Sequence, residues 1–213
     1  MKQPRIAIID YGMGNIQSVK NALELLNCHA QITDDPTQLK NADGLVLPGV
    51  GAFGQAMLNL KDKKIINPLK RAVLEHNIPI LGICLGMQLL SEKSDERGSN
   101  CGLSLIPGEI CKIPDLDGYR LPHVGWNDVK VKNSAPLFTN IADSSSFYFV
   151  HSYRFMCDSE YVAGTAEYGN SINAVVQNNH IFGVQFHPEK SQKKGLRLIN
   201  NFINYVKISN GGP

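Results

Sequence analysis

The sequence predicts a single α/β domain with a mostly parallel central sheet, helices on both faces and partly antiparallel strands in its second half. Three observations point to it. The first half alternates short apolar runs with stretches of helical periodicity, the mark of strand–helix units that pack into a parallel sheet. The second half changes to short strand-like runs separated by turns. The 213 residues are 43% hydrophobic and 19% charged, ordinary globular proportions at a length one core can serve.

Taken in order, residues 5–10 are an isoleucine-rich run suited to a strand buried on both faces. Residues 15–26 place Ile16, Val19, Ala22, Leu23 and Leu26 at helical spacing behind Gly12-Met13-Gly14. Residues 29–33 give a second strand, ended by Asp34-Asp35-Pro36, a turn and helix-start signal. Residues 44–47 give a third, stopped by Pro48. Residues 65–76 read as a helix, residues 80–83 as a fourth strand, and residues 85–90 open another helix. Strands then follow at 109–113, 128–132, 147–151, 161–168, 173–177 and 181–185, before a helix at 194–207. The domain is expected over residues 1–208, with 209–213 a frayed tail.

Charge narrows the function. With 21 basic and 19 acidic side chains the net charge is +2, too little for a general nucleic-acid or membrane-surface binder. The apolar runs, such as residues 80–85, are far too short to span a bilayer, and the first residues show no small-residue cleavage site. Five cysteines stand at 28, 84, 101, 111 and 157, without a Cys-x-x-Cys pair. That spacing argues against a disulfide framework and a zinc site, and for a reduced, cytoplasmic protein. No metal or cofactor is expected.

The chemistry concentrates at Gly82-Ile83-Cys84-Leu85-Gly86. A buried strand runs directly into a helix, with a nucleophile at the junction and glycine two places to either side, the Gly-x-nucleophile-x-Gly elbow. The glycines let neighbouring backbone pass the sharp turn. The following helix directs its amides at the sulfur and favours thiolate, as thiols at helix starts ionise well below their usual pKa of ~8.5. A base is available at His187, which leaves a strand end before Pro188, and Glu189 is placed to hold one tautomer of its ring. Acyl transfer also needs oxyanion donors. The glycine-rich run from Pro48 to Gly54 and the amide of Leu85 can supply them. Asp10-Tyr11-Gly12-Met13-Gly14-Asn15 looks like the start of a dinucleotide fingerprint, but position 17 is Gln17 and the third glycine is missing.

Gly82-Ile83-Cys84-Leu85-Gly86-Met87-Gln88 together with Gln185-Phe186-His187-Pro188-Glu189 resembles the triad-type (class I) glutamine amidotransferases over nearly the whole chain. A finer resemblance, to the glutaminase subunits of imidazole glycerol phosphate synthases, lies in residues 10–15, 48–53, 121–127 and 148–153. It implies a flavodoxin-like sheet, no cofactor and glutamine as substrate. It also implies a heterodimeric partner, a (β/α)8-barrel synthase subunit that uses the ammonia in histidine biosynthesis. By the same resemblance Cys84 is nucleophile, His187 general base and acid, and Glu189 its orienter. Gly51 and Leu85 form the oxyanion hole. Gln88, Glu96, His151 and Ser152 hold glutamine, and Asn15, Trp126, Tyr148 and Lys190 face the synthase. Residues 100–104 (Asn-Cys-Gly-Leu-Ser) depart from the family's usual Lys-Gly-Leu-Gly stretch. Two alternatives stay open: an ammonia donor to another synthase, for instance in surface-polysaccharide amidino-sugar formation, and a non-enzymatic regulatory protein of the same fold.

Overall fold

A computed structural model describes residues 3–132 and 135–211. Strand β1 (Arg5–Ile9) leads through a glycine turn into helix α1 (Ile16–Leu25) and returns as β2 (His29–Thr33). A 3-10 segment, Pro36–Asn41, capped by the Asp35 side chain on the Thr37 amide, connects to β3 (Gly44–Gly49). Helices α2 (Phe53–Asp62) and α3 (Ile66–Leu74) precede β4 (Ile80–Cys84), which passes without a loop into α4 (Leu85–Leu89). The second half holds β5 (Lys93–Ser94), β6 (Asn100–Cys101), β7 (Glu109–Lys112), β8 (His123–Val131), β9 (Ser145–His151), β10 (Tyr153–Met156), β11 (Val162–Tyr168), β12 (Asn170–Asn178) and β13 (Ile181–Val184). Helix α5 (Gln192–Asn210) closes the fold.

The parallel core runs β2-β1-β3-β4-β13, the strand order of flavodoxin-like sheets. Both faces are apolar, as a sheet covered on both sides requires. Ile6, Ile8, Val46, Leu81 and Ile83 pack with Leu23 of α1 and Leu198 and Phe202 of α5. Ala7, Ile9, Leu45, Leu47 and Ile80 point the other way, against Phe53 and Leu60 of α2, Leu69 of α3 and Met87 of α4. Beyond β13 the sheet turns antiparallel through β12, which pairs with both β10 and β11. From β11 it continues into the β8–β9 ribbon, with His123 opposite His151 and Trp126 opposite Tyr148.

Several boundaries differ from expectation for visible reasons. β3 does not stop at Pro48 but runs to Gly49. It leaves β1 after Val46 while staying paired with β4, so a proline without an N–H is tolerated on its open side. Helix α2 was not among the expected elements, although Phe53, Ala56 and Leu60 stand at helical spacing straight after the glycine-rich turn. β8 starts at His123 rather than 128, since the exposed Val124 and Trp126 break the apolar pattern. β5, β6 and β10 went unread: the first two have two residues each, and β10 follows β9 after Ser152 alone. α5 begins two residues earlier than expected and continues to Asn210, two residues into the segment expected to fray. Gly212 and Pro213 lie outside the described residues.

Candidate active site

The C-terminal ends of β3 and β4 open onto a cavity of ≈ 270 Å³ lined by Gly51, Cys84, Leu85, Gln88, Glu96, His151, Ser152, His187 and Lys190, among others. Cys84 ends β4 with φ of 55°, ψ of −111°, a conformation that costs a non-glycine residue free energy. The neighbouring chain explains why it is held there. A Cβ on Gly86 would collide with the Leu47 carbonyl, and one on Gly82 would lie 2.7 Å from the Gly86 oxygen. The glycines thus let β3, β4 and α4 approach closely enough to form the elbow. Gly49 is hemmed in the same way by the Tyr11 hydroxyl and Leu85.

The Cys84 thiol lies 3.7 Å from the Val150 carbonyl, which it reaches as donor, and accepts from Gln185 Nε2 at 3.8 Å. His187 enters from the turn after β13. Its backbone N–H donates to the Tyr148 carbonyl, and its Nδ1 lies 2.9 Å from Glu189 Oε1. Burial works against the charged ring. Hydrogen bonding and charge from Cys84 and Glu189 outweigh that and lift the His187 pKa from 6.5 to about 9. Sulfur and imidazole thus line one cavity, with the carboxylate bonded behind the ring, an arrangement suited to activating a nucleophile and stabilising the imidazolium formed beside it.

The remaining expected residues fall into two groups. Gln88, Glu96, His151 and Ser152 surround the cavity with Gly51 and Leu85. Gln88 Nε2 donates to the Tyr153 carbonyl at 3.3 Å and to Gln185 Oε1 at 3.0 Å. Glu96 Oε2 accepts from the Phe53 amide at 2.7 Å, so it also holds the N-terminus of α2. His151 donates from Nδ1 to the Tyr153 carbonyl, and its Nε2 accepts from His123 Nδ1 at 3.0 Å. Burial drives both of these histidines down to about 4, so they are neutral at pH 7. Lys190, which lines the cavity, holds its Nζ 6.0 Å above the Tyr148 ring, and Trp126 meets that ring edge-on at 6.0 Å. Trp126, half-exposed, continues into exposed Val124 on the outer face of β8. Asn15 stands just before α1, where its side chain makes no capping bond, and α1 packs against the Pro188–Lys190 turn.

The segment that departs from the family pattern packs beside the cavity. Asn100 Nδ2 donates to the carbonyls of Glu96 and Gly98 and holds the loop that carries Glu96. The dinucleotide look-alike is a structural turn: the Gly12 amide donates to Asp10 Oδ1, and Gly14 lies against Pro48 and Gly49. Two buried polar side chains that touch the site were not singled out in the sequence, Gln185 and His123. The available signal was a glutamine enclosed by Val184 and Phe186 in an otherwise apolar run. Among the described residues no group of histidine, cysteine or carboxylate side chains could hold a metal ion.

Residues 7–205 match the family model described as glutamine amidotransferase class-I. The chain is 47% identical over 203 residues to the imidazole glycerol phosphate synthase subunit HisH of Moorella thermoacetica, covering 95% of each. It is also 47% identical over 198 residues to HisH 1 of the same synthase in Campylobacter jejuni, covering 93% of this chain and 98% of that one. Among solved structures it resembles a glutamine amidotransferase, with a TM-score of 0.73, 19% identity, and 95% and 99% of the two chains covered. PurLQS from Thermotoga maritima gives a TM-score of 0.72 at 20% identity, with 96% and 100% covered. At those identities the structures speak for the fold alone.

Proposed function

Since the chain belongs to the class-I glutamine amidotransferases, we propose that it is the glutaminase subunit of an imidazole glycerol phosphate synthase, with Cys84, His187 and Glu189 as its catalytic residues. The observation that carries the chemistry is a cysteine on a strained elbow beside a histidine whose other nitrogen is bound to a buried carboxylate. The choice of synthase is supported by the 47% identity to subunits of that enzyme across nearly the full chain.

The reaction follows from these groups. The Cys84 thiolate attacks the side-chain amide carbon of glutamine. The oxyanion takes hydrogen bonds from the amides of Leu85 and Gly51. The tetrahedral adduct collapses as His187 gives its proton to the departing nitrogen, which leaves as ammonia, with a γ-glutamyl thioester on Cys84. His187 then takes a proton from water, the hydroxide attacks the thioester carbon, and glutamate leaves as the sulfur regains its charge. Glu189 holds Nδ1–H throughout and leaves Nε2 free to exchange protons. Gln88, Glu96, His151 and Ser152 fix the glutamine.

Ammonia released into water becomes ammonium, a poor nucleophile, so the cavity has to open onto the acceptor site. The rim residues Trp126, Tyr148 and Lys190, with Asn15, make the surface that seats a (β/α)8-barrel synthase subunit, one to one. That subunit joins the ammonia to a phosphorylated ribulosyl intermediate, giving imidazole glycerol phosphate and an aminoimidazole carboxamide ribonucleotide. A cytoplasmic location agrees with five unpaired cysteines, and with the finding that, among the described residues, no helix is long and apolar enough to cross a membrane. The test is glutamine hydrolysis by the purified chain with and without the barrel subunit from the same source. Hydrolysis stimulated by that subunit, with imidazole glycerol phosphate formed in step, is expected. Stimulation by a different synthase only would overturn the choice of pathway.

A further inference from the structure

Gln185 is fully buried at the end of β13, where an unpaired primary amide is costly. Both hydrogen bonds of its side chain go to residues of the site: Oε1 accepts from Gln88 Nε2 at 3.0 Å, and Nε2 donates to Cys84 Sγ at 3.8 Å. Gln88 spends one N–H on Gln185 and points the other at the Tyr153 carbonyl, so the group it can offer the cavity is its oxygen, an acceptor. At the sulfur the effect is on charge. The thiol hydrogen is directed at the Val150 carbonyl. Once the proton leaves, that carbonyl repels the sulfur, and the Gln185 N–H is a neutral donor that remains pointed at the anion.

We propose that Gln185 is a positioning residue for glutamine hydrolysis: it fixes Gln88 as an acceptor toward the N–H groups of the substrate and supports the charged form of the Cys84 sulfur. The inference rests on Cys84 being the nucleophile. It predicts two separable effects of one side chain, on KM through Gln88 and on kcat through the sulfur. Other groups facing the sulfur and its cavity are His187, Glu189, His151, Tyr11, Glu96 and Lys190. All are unchanged by Gln185→Leu, so a shift in sulfur ionisation in that variant reports on the lost amide, whereas Gln185→Glu adds a carboxylate of its own beside the sulfur.

The experiment uses the full chain. The pH profile of Cys84 alkylation by iodoacetamide is measured for the parent, Gln185→Glu and Gln185→Leu, together with kcat and KM for glutamine in the presence of the barrel subunit. Cys84→Ala serves as the control that tests the nucleophile itself. If it retains hydrolysis, the underlying reading fails. If it is inactive, the result at 185 is decisive alone. The expected outcome for both variants is an alkylation midpoint moved to higher pH, a raised KM, and kcat/KM reduced on the order of 10- to 100-fold, the range for losing a hydrogen bond to a charged group. The loss should be less than additive with Gln88→Ala. A structural role alone would lower the unfolding temperature and leave the alkylation midpoint in place, and that result would overturn the proposal. Should neither variant fold, the glutamine side-chain amide signals of the ¹⁵N-labelled parent are compared with those of Cys84→Ser. A shifted Gln185 signal is expected, and an unmoved one refutes the contact.

Discussion

His187 Nδ1 lies 2.9 Å from Glu189 Oε1, and the two side chains are only 4% and 1% exposed. A proline between them and a 3-10 turn of three residues, Pro188–Lys190, fold the carboxylate back onto the ring. This short loop fixes the tautomer without help from a distant element. Glu189→Gln should therefore keep the fold while reducing glutamine turnover by roughly two to four orders of magnitude, because an amide can present the wrong partner to Nδ1. Steady-state kinetics check this. A variant with near-parent kcat would show that the carboxylate does not orient the ring.

Stability should have a maximum near pH 6.5, with His187 responsible for the alkaline limb and His123 and His151 together for the acid one. His187 is raised to about 9 in the folded chain from 6.5. Its contribution is complete below pH 6.5 and is lost as pH rises toward 9. Burial lowers His123 and His151 to about 4. The unfolded chain therefore binds protons that the folded chain refuses as pH falls from 6.5 to 4, and stability declines in that window too. Urea midpoints across pH 4–9 should show both limbs. Glu189→Gln should make the alkaline limb shallower, since Cys84 still supports the charged ring, and His123→Phe the acid one, of which His151 keeps its share. Parallel profiles for parent and variants would contradict the assignment.

Gly86→Ala tests the elbow's packing. The added Cβ meets the Leu47 carbonyl, backbone that cannot rotate away, so β3 and α4 must separate. A cost of about 1–3 kcal/mol is expected from overpacking, read as a lower urea midpoint. A greater loss of activity than of stability should accompany it, as the Leu85 amide moves. Unchanged stability would mean that the strands have room to yield.

Trp126→Ala tests the rim. The side chain is half-exposed on the outer face of β8 and rests edge-on against Tyr148. Its removal should change the stability of the isolated chain by no more than about 0.5 kcal/mol, yet weaken binding of the barrel subunit by roughly tenfold or more, as for buried aromatic anchors. Calorimetric titration measures this. Unaltered affinity would place the docking surface elsewhere.

The parallel strands were legible because burial on both faces leaves continuous apolar runs such as Ile6 to Ile9 and Ile80 to Ile83. The elbow was legible because its glycines answer to a local clash. The antiparallel ribbon was less so. Val124 and Trp126 are exposed on one face while His123 and Val129 are buried on the other, so half of β8 reads as a loop. Gln185 and His123 stood within the motifs, but their roles were not legible for a different reason. A buried polar residue shows its purpose only through partners far along the chain, 97 residues away for Gln88 and 28 for His151.

Attack of the Cys84 sulfur on glutamine can be trapped covalently. A glutamine-like diazoketone bears its electrophilic carbon where the amide would lie, so peptide mapping after inactivation tests it directly. One equivalent of label on Cys84 is expected, with loss of hydrolysis in step with labelling, protection by glutamine, and neither label nor turnover in Cys84→Ala. Label on Cys28, Cys101, Cys111 or Cys157 with Cys84 unmodified, or turnover persisting in Cys84→Ala, would contradict it.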